Sequence, residues 1–259
     1  MLYLNGYPVP ITVFPDKTSQ VWKLREESFN NIEPSAIDWY FEDDAEIFRL
    51  VQLVELVRAK SKNMQVHLRV GYLPYARQDK EYGNESTFAL RSFAKLLNVL
   101  NFTRIEVLDV HSNVATELIG GLVNVTGASR IQKAAYGEVK AETIIFPDQG
   151  ACDRYFGDYH LFNDRKHIVG QKERDQSTGA ITGYYLANKT MIEDPVLVVD
   201  DICDGGATFV ALAQELKRQG VEDFNLYVTH GLFSKGVNRL FDAGYKRIFT
   251  YEGEQQWED

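Results

Sequence analysis

The sequence predicts an α/β fold made of two lobes of similar size, each built on mainly parallel sheets flanked by helices. Three observations carry this. Short apolar runs alternate with stretches of helical periodicity along the chain. The later runs stop at polar or acidic clusters, as strands do where they leave a parallel sheet. A glycine-containing segment, residues 120–127, interrupts the alternation near the midpoint and is the expected boundary between residues 1–127 and 128–259.

The elements follow in order. Residues 11–14 and 21–24 are short apolar segments on either side of a turn. Residues 46–60, EIFRLVQLVELVRAK, place Ile47, Leu50, Val51, Val54 and Val57 on one helical stripe. Residues 66–70 read as a strand, 87–100 as a helix, and 104–110 as a strand running into Asp109 and His111. Beyond the boundary, residues 143–146 form a strand ending at Pro147, Asp148 and Gly150, and residues 168–170 form another strand end. Residues 196–199 are a buried strand, 208–218 a helix closed by Gly220, and 224–228 and 247–251 complete the set.

Composition narrows the function. A formal net charge of −9 argues against a nucleic-acid partner, which favours a basic face. No apolar run is long enough to span a bilayer. The opening MLYLNGYPVP lacks the basic start of a secretory signal. Cys152 and Cys203, the two cysteines, stand in no metal-ligand spacing, so a reducing cytoplasm is the expected setting.

The most informative stretch is VLVVDDICDGGAT, residues 196–208. Glycines let backbone N–H groups converge, and the N-terminus of the following helix adds partial positive charge, so the turn suits an anion. Thr208 caps that helix or offers its hydroxyl. An ordinary strand-to-helix turn accounts for Asp204, Gly205, Gly206, Ala207 and Thr208 equally well. Asp200 and Asp201 tip the balance, because carboxylates at a buried strand end are costly without compensation. Sugar hydroxyls or Mg²⁺ supply it. A phosphorylated sugar satisfies both halves: phosphate on the glycine turn, hydroxyls on the acids. No G-x-x-x-x-G-K-[ST] loop is present, which argues against a P-loop ATPase.

This stretch resembles the 5-phosphoribosyl-1-diphosphate (PRPP) motif of the phosphoribosyltransferase superfamily. The sequence Pro74-Tyr75-Ala76-Arg77-Gln78-Asp79-Lys80 is similar to the nucleotide-binding segment of ribose-phosphate diphosphokinases, the PRPP synthetases. Other segments agree in order: Phe14-Pro15-Asp16 with their FPDGE, Leu108-Asp109-Val110-His111 with DLH, and Phe146-Pro147-Asp148-Gln149-Gly150 with SPDxG. Lys172-Glu173-Arg174 resembles KRR, and Thr229-His230-Gly231-Leu232-Phe233-Ser234 resembles ATHGIFS.

The resemblance implies two phosphoribosyltransferase-like lobes. Residues 1–127 would bind ATP. Residues 128–259 would bind the ribose phosphate and carry a catalytic flexible loop at about 170–183. It implies Mg²⁺ with ATP as co-substrate, and diphosphate transfer from ATP to the anomeric 1-hydroxyl of ribose 5-phosphate, giving PRPP and AMP. Lys172 and Arg174 would be catalytic, as cations on a lid. Phe14, Asp16, Arg77, Gln78, Asp79 and His111 would bind ATP, and His111 and Asp148 would meet the metal. Asp200, Asp201, Asp204, Gly205, Gly206, Ala207 and Thr208 would hold the ribose phosphate. A homo-oligomer, dimer or hexamer, is implied.

The sequence departs from the family pattern at several points. Thr18 replaces the acidic residue of FPDGE, and Lys80-Glu81-Tyr82-Gly83 replaces a basic stretch. Few residues precede Phe14 or follow Tyr251, so the family's first strand and helix and its closing helix are expected to be reduced or lost. Such compactness is expected of a phage-type or specialised bacterial member. The usual Thr-Gly-Gly-Thr reads Gly205-Gly206-Ala207-Thr208. The lost hydroxyl opens space for a 5-diphosphate, so ADP-ribose is the alternative acceptor, with ADP-ribose 1-diphosphate for NAD synthesis as product. Two rivals remain: a PRPP-consuming transferase, which needs no PYARQDK segment, and a non-catalytic synthetase-associated subunit, which would have eroded the cations or acids.

Overall fold

A computed structural model of the chain describes residues 1–29, 34–60, 65–81, 83, 86–174, 181–186 and 192–257, with main chain alone for Glu173, Arg174, Ile181 and Thr182. Two compact units emerge, Met1–Thr126 and Gly127–Asp259.

In the first unit the strands are β1 (Leu2–Leu4), β2 (Tyr7–Pro8), β3 (Ile11–Val13), β4 (Ser19–Val21), β5 (Ser35–Trp39), β6 (Val66–Val70), β7 (Arg104–Leu108) and β8 (Leu122–Val125). Helices α1 (Ala45–Lys60), α2 (Ala89–Val99) and α3 (Asn113–Leu118) connect the later ones. Six strands form one sheet in the order β2-β1-β5-β6-β7-β8, parallel from β5 to β8 and antiparallel at the β1 end. Strands β3 and β4 form a separate antiparallel hairpin. The α1 stripe does what its spacing predicts: Leu50, Val54 and Val57 are buried against Ile37, Leu68 and Val107 in one core.

Residues 120–127 are more than an interruption, because β8 lies there as the edge strand of the sheet. Its burial alternates half-buried and exposed, as an edge strand's does, and its apolar residues Leu122, Val123 and Val125 stand between Gly120, Gly121 and Gly127, which make the stretch read as a break.

The second unit has β9 (Thr143–Phe146), β10 (Lys166–Arg174), β11 (Ile181–Leu186), β12 (Val196–Cys203), β13 (Phe224–Gly231), β14 (Ile248–Phe249) and β15 (Glu254–Gln255). Its helices are α4 (Ala128–Gln132), α5 (Gln149–Cys152), α6 (Ala207–Arg218) and α7 (Asn238–Ala243), with π-helical turns at Lys133–Val139 and Asp153–Asp158. The sheet order is β11-β10-β9-β12-β13-β14-β15, parallel from β10 to β14 and closed by an antiparallel strand at each edge. Alternate residues of β12 feed two cores: Val196 and Val198 pack with Leu212 and Tyr184, and Leu197 and Val199 with Tyr155 and Phe146.

Two sequence expectations change here. The strand starting at Val196 does not stop at Val199 but continues through both acids to Cys203. The segment expected to be a loop from residue 170 is still strand to Arg174, and the chain is strand again from Ile181. Residues 175–180 of the expected lid lie outside the described residues.

Candidate active site

Because β9, β10, β12 and β13 are parallel neighbours, their carboxyl ends gather the second unit's polar clusters along one sheet edge. Asp148 follows β9 and caps α5, accepting from the Ala151 amide at 3.1 Å. From β10, Lys172 Nζ donates to Asp148 Oδ2 at 2.6 Å. Burial pushes the Asp148 carboxyl up, but Lys172 and the Ala151 amide outweigh it and hold it below the usual carboxylate range.

Asp200 and Asp201 leave β12 on opposite faces. Asp201 is buried, and its Oδ2 lies 2.9 Å from Nη1 of Arg154, which the π-helical turn Asp153–Asp158 delivers. Asp200 is half-buried, and its Oδ1 accepts from the Asp201 amide at 2.9 Å. Burial, then the charges of Asp201 and Asp148, raise the Asp200 carboxyl well above the ordinary range. Among the described side chains, the carboxylates of Asp148, Asp200 and Asp201 share this edge with the cations Lys172 and Arg154.

The glycine turn follows. Gly206 takes φ +75°, a conformation glycine adopts at no steric cost, and is the N-cap of α6. Thr208 therefore sits inside the helix and does not cap it, and no side chain caps α6. The segment after β13 braces the turn. Leu232 and Phe233 amides donate to Cys203 O at 2.9 and 3.1 Å. Ser234 Oγ donates to Asp204 Oδ1 at 2.5 Å, and Arg239 Nη1 to Gly205 O at 2.6 Å. The segment folds back so tightly that a Cβ on Gly231 would stand 2.2 Å from Phe233 Cε2. A Cβ on Gly205 would meet the Lys235 stem at 3.5 Å.

In the first unit two clusters follow the adjacent parallel strands β6 and β7. Arg77 and Gln78 are exposed on a turn shaped by Tyr75, which adopts φ +63°, packs its ring on Phe93 and donates its hydroxyl to Asp44. Burial and that carboxylate push the Tyr75 hydroxyl up to about 12. Asp79 is half-buried beside them. Asp109, buried, has φ +44°, and half-buried His111 follows it. Left-handed backbone in a buried non-glycine residue costs roughly 1–3 kcal/mol and clusters at functional sites. Phe14 and Asp16 lie apart from these clusters in sequence and sheet, at the tip of the β3–β4 hairpin. Asp16 accepts from the Thr18 amide at 3.0 Å and from its hydroxyl at 2.7 Å, so Thr18 serves to hold the turn.

No protein-family model matches the chain. A ribose-phosphate pyrophosphokinase from Mycoplasmopsis pulmonis is 31% identical over 196 residues, covering 75% of this chain and 60% of that protein. Another from Sulfolobus acidocaldarius is 24% identical over 241 residues, covering 92% of this chain and 81% of that protein. The fold resembles a phosphoribosylpyrophosphate synthetase from Mycobacterium smegmatis with a TM-score of 0.78 at 17% identity, covering 94% of this chain and 79% of that one. In sequence and in fold the chain resembles the ribose-phosphate pyrophosphokinases. It spans 60% of the length of its Mycoplasmopsis pulmonis relative.

Within this ribose-phosphate pyrophosphokinase framework, Asp148, Lys172, Asp200, Asp201 and the turn from Asp204 to Thr208 share one sheet edge. The side chain of Arg174 lies outside the described residues. Three contributors escaped sequence reasoning: Arg154, Tyr184 and Ser234. Arg154 sits six residues beyond Asp148 in a π-helical turn, a spacing no helical template flags. Tyr184 acts across a strand pair that only the folded hairpin creates. Ser234 ends the Thr229–Ser234 segment that resembles the family's ATHGIFS, and that motif is the signal that could have found it. Among the described residues, no three His, Cys, Asp or Glu side chains gather to hold an ion by themselves, and no helix is long and apolar enough to cross a membrane.

Proposed function

We propose that the chain transfers the terminal diphosphate of ATP to the anomeric 1-hydroxyl of ribose 5-phosphate. The sugar oxygen bonds to the β-phosphorus, the bond from that phosphorus to the α-phosphate oxygen breaks, AMP leaves, and the hydroxyl proton passes to solvent. The observation that carries this is the pair of carboxylate–cation contacts, Asp148–Lys172 and Asp201–Arg154, around a strand that runs directly into a glycine turn. The uncapped first turn of α6 offers amides to a 5-phosphate, and the strand-end acids accept from ribose hydroxyls. Lys172, with Arg174, stabilises charge on the transferring phosphoryl oxygens. Arg77 and Gln78, with Asp79, hold the nucleotide in the first unit, with Phe14 and Asp16 at the adenine.

Asp148, Asp200 and Asp201 at the second unit's edge suit a divalent cation: burial first, and then the charges of Asp201 and Asp148, raise the Asp200 carboxyl, and a cation there would relieve that cost. Mg²⁺ commonly takes one or two carboxylates and completes its shell with phosphates and water. Asp148 would meet it there and His111 would meet it with ATP. When bound, it would neutralise phosphoryl oxygens. We further assign the protein to the cytoplasm, as a homo-oligomer.

One observation favours a second acceptor, ADP-ribose. Where the family pattern has a threonine side chain, Gly205 leaves room beside the exposed Lys235, a cation placed to meet a further phosphate. Incubation of purified protein with Mg²⁺ and ATP, in parallel with ribose 5-phosphate and with ADP-ribose, tests both by mass spectrometry. AMP with PRPP supports the first acceptor. AMP with ADP-ribose 1-diphosphate, the ribose 5-phosphate tube being silent, replaces it by the second. Silence in both overturns the enzymatic assignment.

A further inference from the structure

We propose that Arg154 is a positioning residue for the sugar acceptor, fixing the Asp201 carboxylate at the end of β12. This rests on the function proposed above. Asp201 projects to the face of β12 shared by Leu197 and Val199, where Tyr155 and Phe146 pack. Without a cation on that side, the carboxylate would be desolvated against aromatic surface. Arg154 meets it there at 2.9 Å, the two side chains being only 13% and 5% exposed.

A pair this deep is a poor device for stability, since desolvation of both charges consumes most of the attraction. It is a good device for orientation, because a guanidinium is always charged and planar. The origin of Arg154 fits that role. Asp148 opens the segment, caps α5 and holds Lys172. The helix then continues as a π-helical turn from Asp153, and Arg154 near its start reaches Asp201. One seven-residue segment, residues 148–154, therefore links the carboxylate that holds the lid cation with the one that faces the sugar. Widening of the helix at this point is a feature associated with functional sites.

Steady-state kinetics on the full chain test this, with acceptor varied at saturating Mg²⁺ and ATP, for Arg154→Met, Arg154→Lys, Asp201→Asn and the double variant Arg154→Met/Asp201→Asn. Arg154→Met should raise the acceptor KM about 10- to 100-fold, the scale of a misplaced binding group, while the ATP KM stays at its wild-type value. Arg154→Lys should fall between, and the double variant should be no worse than Asp201→Asn alone, because Arg154 acts through Asp201. An unchanged acceptor KM, or penalties that add in the double variant, overturns the role. So does a parallel loss of both substrates' KM and of the thermal midpoint, which marks a merely structural pair. If Arg154→Met fails to fold, an unchanged acceptor KM in Arg154→Lys overturns it equally. Wild-type protein inactive on both ribose 5-phosphate and ADP-ribose brings down the proposed function and this role together, whereas an active wild type with an unaffected Arg154→Met brings down this role alone.

Discussion

The hydroxyl of Tyr184 occupies the space where a Cβ on Gly170 would stand, 2.0 Å from that position, and from there donates to Pro147 O at 2.7 Å. Tyr184 lies on β11 opposite Lys172, so its ring crosses diagonally over β10 to reach the turn that carries Asp148. The strand pair bearing Lys172 is thereby fastened at its base to the carboxylate that Lys172 contacts.

Substitution of Gly170 should therefore be felt at the site. Gly170→Ala places a methyl group against the Tyr184 ring and within 2.9 Å of Pro147 O, so backbone must shift. Thermal unfolding should show a loss of about 1–3 kcal/mol, the usual cost of overpacking. Tyr184→Phe removes the hydrogen bond alone and should cost about 1 kcal/mol. Equal, negligible effects from both would show that the hairpin is not fastened there.

Lys172 should separate chemistry from binding. Lys172→Ala should lower turnover roughly 100-fold or more, as loss of one charge-stabilising donor does, with nucleotide affinity by calorimetry nearly unchanged. Wild-type turnover in this variant would remove Lys172 from the chemistry.

The two acids at the edge should respond to pH with opposite signs. The Asp148 carboxyl lies below its ordinary value, so its contribution is present above the unfolded carboxylate pKa, about 4, and is lost as pH falls through the folded value. Asp200 is raised, so the folded state holds a proton that the unfolded state releases, and stability falls as pH rises from the unfolded value toward the folded one. Asp200→Asn should thus raise the melting temperature at pH 7 by about 2–4 °C, with the gain vanishing near pH 4. Asp148→Asn should lower it at pH 7. Melting curves from pH 3 to pH 8 without ligand check both signs.

Lys235 should mark the acceptor. If a 5-diphosphate is the substrate, Lys235→Ala should reduce kcat/KM for ADP-ribose by about tenfold, the value of one charge-assisted contact, and that for ribose 5-phosphate far less. Equal reductions would place Lys235 on the phosphate common to both.

The sequence by itself determined a good deal. The alternation of apolar runs with helical periodicity required an α/β fold, and the α1 stripe of Leu50, Val54 and Val57 is buried as its spacing demands. The glycine turn and the acids ahead of it were legible because glycine at φ +75° and carboxylates at a strand end are local demands written in adjacent residues. The tertiary structure decided what depends on contacts between distant segments. β8 was hidden because its short apolar stretch, Leu122, Val123 and Val125, sits between glycines that read as a break until pairing with β7 is seen. Gly206, not Thr208, caps α6 because backbone geometry, not the presence of a hydroxyl residue, selects the cap. The opposite faces of Asp200 and Asp201 became visible only once β12 ran on past Val199, since a strand sends neighbours to opposite sides while a turn does not. Arg154 and Tyr184 reach their partners across 47 and 37 residues of chain, and nothing in a local pattern encodes which charge or carbonyl packing will bring into range.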